Sequence, residues 1–136
     1  MKISAKAEYA CLAVLELARQ GPDDPPIRIR EISEAHGIPE RYLVQILLHL
    51  KGAGLVTSTR GVSGGYRLAR PASSISLSEV LAAIDGPEAS PRESRKPAAQ
   101  VLAAVWERVR VAERVVLDQT SIAQLAEQIA PREWVI

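Results

Sequence analysis

The sequence predicts a mainly α-helical chain with one small β-hairpin, and three observations carry that expectation. Apolar residues recur at helical spacing in several separate blocks. A glycine-rich turn, Gly61-Val62-Ser63-Gly64-Gly65, separates two short strand-like runs. A last, long periodic block follows a stretch rich in proline and charge.

Ala5, Tyr9, Leu12, Leu15 and Leu17 mark a first helix over residues 5–20, with Ser4 placed to cap it. Gly21-Pro22-Asp23-Asp24-Pro25-Pro26 breaks that helix. Ile29, Ile32 and Ala35 form a short second helix closed by Gly37. Pro39 opens a third helix, where its missing N–H costs nothing, and Glu40 suits the positive end. Leu43, Ile46, Leu47 and Leu50 give the third helix its buried stripe, and Gly52 and Gly54 end it. Two short helices joined by a glycine turn match a helix-turn-helix. The hairpin of residues 55–60 and 66–69 follows directly, in the position of a wing.

Ser76 and Glu79 form a capping box for a short helix containing Val80, Leu81 and Ile84, which stops at Gly86-Pro87. The expected organisation is therefore a winged helix-turn-helix domain over residues 1–86. A linker over 87–97 holds three prolines and five charged residues and has little to bury. A helix over 98–118 places Val101, Val105, Val109, Ala112 and Val116 on one face, widened by Leu102, Trp106 and Val115. At about 30 Å it outruns the small domain, so a second copy of the chain is the simplest cover and it reads as a dimerisation helix. Residues 119–136 are expected to form a last helix, with Ser121 and Gln124 as a capping box, packing back on the domain or the partner. Pro131 ends that helix.

The composition excludes several classes. No apolar run approaches the roughly 20 residues that span a bilayer, and Met1-Lys2-Ile3-Ser4 leads straight into the first helix without a secretory leader, so a cytoplasmic protein is expected. A single cysteine, Cys11, excludes an intrachain disulfide and any site built from several thiolates of one chain. It reads as a small core residue; a redox sensor needs exposure and cationic neighbours. His36 and His49 read as helix-surface residues, not ligands, and no metal or other cofactor is expected. Trp106 and Trp134 fit packing better than an effector pocket. The residues offer no catalytic constellation, and the wing glycines join two strands instead of opening a helix around a phosphate.

Net charge is only +1, yet no Asp or Glu occurs from Arg41 to Ser78, where Arg41, Lys51, Arg60, Arg67 and Arg70 lie. A local basic face binds phosphates even on a near-neutral molecule. On the third helix Arg41, Tyr42, Val44, Gln45, His49 and Lys51 read as outward. Gln45 suits bidentate pairing with adenine, while Arg41, Tyr42 and Lys51 suit phosphates. Arg60 stands at the hairpin tip, where a cation can enter the minor groove. Double-stranded DNA is the partner this pattern implies.

Tyr9-Ala10, Tyr42 through Leu47, Ala53-Gly54-Leu55-Val56, Arg60 through Arg70 and Ser76 through Gly86 together resemble the Rrf2 family of regulators. That family includes iron–sulfur-cluster, nitric-oxide and cysteine-metabolism regulators. The likeness is close over residues 1–86, and the long helix fits the family's dimerisation helix by position. It implies a homodimeric repressor or activator on an inverted-repeat site, with a repressor expected. It also implies that Gln45 reads bases and Arg60 enters the minor groove. Gly61 and Gly64 would let the wing approach, and Lys6, Tyr9, Tyr42 and Ser58 would contact the backbone.

Two departures matter. Relatives often carry Glu where Val44 stands; a carboxylate accepts from cytosine, whereas valine suits a thymine methyl. Cluster-bearing members have three cysteines in the linker, and Gly86 through Pro97 has none; Ser90, Glu93 and Ser94 do not replace thiolates. With no cluster, the trigger is a protein partner, a small-molecule effector, or none. Two alternatives stand beside this reading: a winged-helix protein-interaction module that no longer binds DNA, and a regulator using Cys11 in an intermolecular cluster or disulfide.

Overall fold

The computed structural model describes residues 1–86 and 95–129. Most of the linker, including Ser90, Glu93 and Ser94, and the segment holding Pro131 and Trp134 lie outside the described residues. Helix α1 (Ala5–Leu17) is capped as expected, the Ser4 hydroxyl accepting from the Ala7 N–H at 3.1 Å. It buries Ala7, Ala10, Ala13, Val14 and Leu17. The small alanine faces let α3 and α4 pack close against it.

Helix α2 (Ile29–His36) ends at Gly37, whose left-handed φ of 65° turns the chain toward α3 (Glu40–Gly52). Pro39 caps α3 from just outside instead of forming its first turn. Leu43, Ile46, Leu47 and Leu50 are all fully buried, so the predicted stripe is the core face. With Ile32, Ile38, Val56, Ile75 and Val80 they make one apolar core. Each such side chain contributes about 1.5–3 kcal/mol by leaving water.

Strands β1 (Val56–Thr59) and β2 (Gly65–Leu68) pair antiparallel, with Val56 opposite Leu68 and Thr59 opposite Gly65. Ile27 adds a further bridge: its N–H donates to Tyr66 O at 3.0 Å and its carbonyl accepts from the Tyr66 N–H at 2.7 Å. The two prolines before Ile27 read only as a helix breaker, and nothing local to them signals this pairing. It explains Gly65, because a Cβ there would lie 2.6 Å from Ile27 O. The wing is thus sewn to the α1–α2 loop and does not hang free.

A 3-10 turn at Ala72–Ser74 leads to α4 (Leu77–Asp85), whose capping box of Ser76 and Glu79 forms in full. Glu79 also receives Arg70 Nη2 at 2.6 Å, which ties the end of the wing to α4. Helix α5 (Pro97–Gln119) starts at Pro97, one residue inside the predicted linker, because proline is well tolerated in a first helical turn. Helix α6 (Ile122–Glu127) is capped by the expected Ser121–Gln124 box and packs on its own domain. Ile122 is fully buried in the core, and two backbone bonds, Leu77 N–H to Thr120 O (3.0 Å) and Ile122 N–H to Ile75 O (2.8 Å), fix the α5–α6 junction there.

Candidate nucleic-acid interface

The exposed side of α3 and the wing form one continuous face. At its start, Tyr9 of α1 and Tyr42 of α3 meet with ring centroids 6.2 Å apart and planes tilted by 34°. The Arg41 guanidinium lies 5.0 Å from the Tyr42 ring centroid. This contact holds the cation at the N-terminal end of α3. Lys6 is half-buried one turn before Tyr9. Val44 and Gln45 follow, both exposed. At the far end Lys51 Nζ donates to Ser58 Oγ at 2.7 Å, which joins the last turn of α3 to β1. Arg60 and Gly61 stand exposed at the hairpin tip. From Arg41 to Lys51 the helix rises about 15 Å, enough to lie along a major groove about 12 Å wide.

The structure therefore brings Lys6, Tyr9, Arg41, Tyr42, Val44, Gln45, Lys51, Ser58, Arg60 and Gly61 to neighbouring elements. Gly64 differs. It is buried, and a Cβ there would collide with the Thr59 carbonyl oxygen and the Arg60 carbonyl carbon. Its glycine is required by the hairpin's own turn, whatever the wing meets. Two cations of the basic stretch are also engaged inside the molecule. Arg67 donates to the Asp24 carbonyl, and Arg70 is held by Glu79 and by Ser74 O. Arg41, Lys51 and Arg60 are left on the face.

Leu48 was missed by sequence reasoning, yet it is 61 % exposed on α3. At about 100° per residue it falls opposite the buried stripe, beside Arg41 and Gln45. A helical projection alone would have found it; its place in the Ile46-Leu47-Leu48 run hid it.

His36 also departs from expectation. It is not a free surface residue: its Nε2 lies 2.8 Å from Glu16 Oε1, and Glu16 is only 5 % exposed. Arg19 Nη1 donates to the other Glu16 oxygen at 2.7 Å. Buried carboxylates need such partners, and this one clamps α1 to the end of α2 just before the helix-turn-helix turn. His49 is exposed, as expected. Cys11 is partly buried against the core. Burial, reinforced by Glu8, pushes its thiol up to about 11, so it is neutral at physiological pH.

The Rrf2 family model, described as an iron-dependent transcriptional regulator, matches residues 3–128. The chain belongs to the Rrf2 family. The Mycobacterium tuberculosis protein Rv1287 is 39 % identical to it, with 96 % of this chain and 84 % of that protein aligned. The regulator CymR of Bacillus subtilis is 34 % identical over 93 % of this chain and 90 % of its own length. The solved structure of CymR, the global cysteine regulator of Bacillus subtilis, superposes with a TM-score of 0.83 at 32 % identity, covering 96 % of this chain and 99 % of that one. The structure of T. potens IscR gives 0.79 at 32 % identity, covering 96 % and 93 %. The protein is thus a DNA-binding helix-turn-helix transcriptional regulator of the Rrf2 family, with a winged-helix fold, and not an enzyme. No helix among the described residues is long and apolar enough to cross a membrane.

The iron named for the family does not fit this donor set. A cluster is held by several thiolates, and the chain has one cysteine, whose thiol is held neutral. Among the described residues no three His, Cys, Asp or Glu side chains gather at one place.

Proposed function

We propose that this Rrf2-family protein acts as a homodimeric repressor on an inverted-repeat operator in the cytoplasm, without an iron–sulfur cluster of its own. The observation that carries this reading is the basic stretch from Arg41 along α3 to Arg60, which contains no carboxylate and is framed by Tyr42, Lys51 and Ser58. Gln45 would read a base edge, and Arg60 would enter the minor groove. Winged-helix dimers place two recognition helices about one DNA turn apart.

The dimer rests on α5. No residue of that helix is buried within one chain, and Val101, Val105, Trp106, Val109, Ala112 and Val116 all face solvent. A second copy is the simplest cover for so continuous an apolar surface. A signal would change the spacing or stiffness of the two halves. Its carrier is a protein partner or a small molecule. A groove of about 670 Å³ between the N-terminus, α4 and α5, lined by Ile3, Leu81, Leu117 and Arg110, favours the small molecule.

The test is retardation of duplex DNA as salt is raised. Binding at low salt that falls steeply and linearly on logarithmic axes is expected. Intact dimers that retard no duplex at low salt would refute the regulator reading in favour of a protein-interaction module. Visible iron–sulfur absorbance after anaerobic purification would overturn the absence of a cluster.

A further inference from the structure

We propose that Leu48, together with Val44, reads the C5-methyl groups of thymines in the major groove, so that each half-site carries thymine at fixed positions. The proposal rests on the DNA-binding reading above and names what its reading helix selects.

Four aliphatic residues of α3 are fully buried, and two are not. Leu48 is 61 % exposed and Val44 46 % exposed. They lie four residues apart, so they are neighbours on the helix surface. Gln45 stands beside them, Arg41 lies at one end of the face and Lys51 at the other. An apolar pair exposed between cations, on a helix whose one carboxylate, Glu40, stands in its first turn, suits a partner with anionic ridges and recessed apolar groups. Duplex DNA has that form. Its phosphates flank the major groove, and the thymine methyl is the apolar group on the groove's floor. A protein partner would have to supply acidic residues on both sides of an apolar knob. DNA supplies phosphates at both edges of every groove.

The chemistry recognised is a methyl carbon at C5 of a pyrimidine. Thymine and 5-methylcytosine both carry it, and thymine is the proposed source. Burying one methyl contributes about fourfold in affinity, corresponding to ~0.8 kcal/mol.

The test starts from a site selected out of an unmethylated random duplex pool by the purified full-length protein. Each thymine of that site is then replaced by deoxyuridine, which keeps pairing and phosphates and removes only the methyl. At one or more positions per half-site the wild type is expected to lose about fourfold in affinity. Leu48→Ala or Val44→Ala is expected to bind the thymine site more weakly, to bind the uracil site as the wild type does, and so to lose the discrimination. Both side chains are exposed, and circular dichroism with sedimentation checks that fold and assembly persist. Tight binding that no deoxyuridine disturbs overturns the methyl assignment and leaves the regulator reading intact. The same follows if both alanine variants keep the full thymine preference, or if methylating the cytosines of the selected site changes affinity while no deoxyuridine does. Failure to bind any duplex at low salt refutes DNA binding itself, and this proposal with it.

Discussion

Helices α3 and α5 both carry apolar side chains into solvent, but only α3 has a core face of its own. Leu43, Ile46, Leu47 and Leu50 anchor α3, so its exposed Val44 and Leu48 ride on a fixed platform. Helix α5 buries nothing within the chain, although it runs for 23 residues and touches α4. The difference separates two kinds of exposure. On α3 a few apolar groups sit among cations on a rigid helix, which suits reading a polyanion. On α5 a whole face lacks cover, which suits a partner that completes the fold.

The sharpest way to break this comparison is to place charge on α5. Val105→Asp combined with Val109→Asp should weaken self-association by about a hundredfold or more, equal to ~2.7 kcal/mol, while far-ultraviolet circular dichroism keeps the winged-helix signal. A dimer that persists in sedimentation at micromolar concentration would show that α5 is covered in another way. The next effect is on α3. Leu47→Ala should cost about 2–5 kcal/mol in chemical denaturation, because a cavity opens in the core. Leu48→Ala, one residue on, should stay within about 0.5 kcal/mol. Equal losses at the two positions would erase the platform-and-reader distinction. Arg60→Ala should lower duplex affinity about tenfold at low salt and reduce the salt slope by about 0.9, with the fold unchanged. An unchanged slope would place the wing tip off the phosphates. A modest loss is expected at α4, where Ser76→Ala removes one half of the capping box and should cost about 1 kcal/mol in thermal or chemical unfolding.

Local rules made much of the fold legible. Ser4, Gly37, Ser76 and Ser121 all act as the caps their types and spacing suggested, because capping depends on residues within one turn. The buried stripe of α3 was legible for the same reason. What escaped was set by distant contacts. Ile27 pairs with Tyr66, 39 positions away along the chain, and Glu16 finds His36 across two helices. No short-range pattern encodes either. The site shows the same division. Arg41 to Arg60 could be read as a basic stretch, but that Arg67 and Arg70 spend their charge on Asp24, Ser74 and Glu79 emerges only once the wing is folded back.

The fastening of α6 gives α5 a mechanical character. Ile122 and the bonds at Thr120 and Ile75 fix the C-terminal end of α5 to the reading domain, while its other end lies a full helix length away. With a rise of 1.5 Å per residue, α5 is a lever about 34 Å long with its fulcrum at residue 120. A tilt of one degree at that fulcrum moves the far tip by about 0.6 Å, and a tilt of five degrees moves it by about 3 Å, close to one base-pair step of 3.4 Å. In a dimer joined along this lever, a slight change of crossing angle becomes a change in register between the two reading helices.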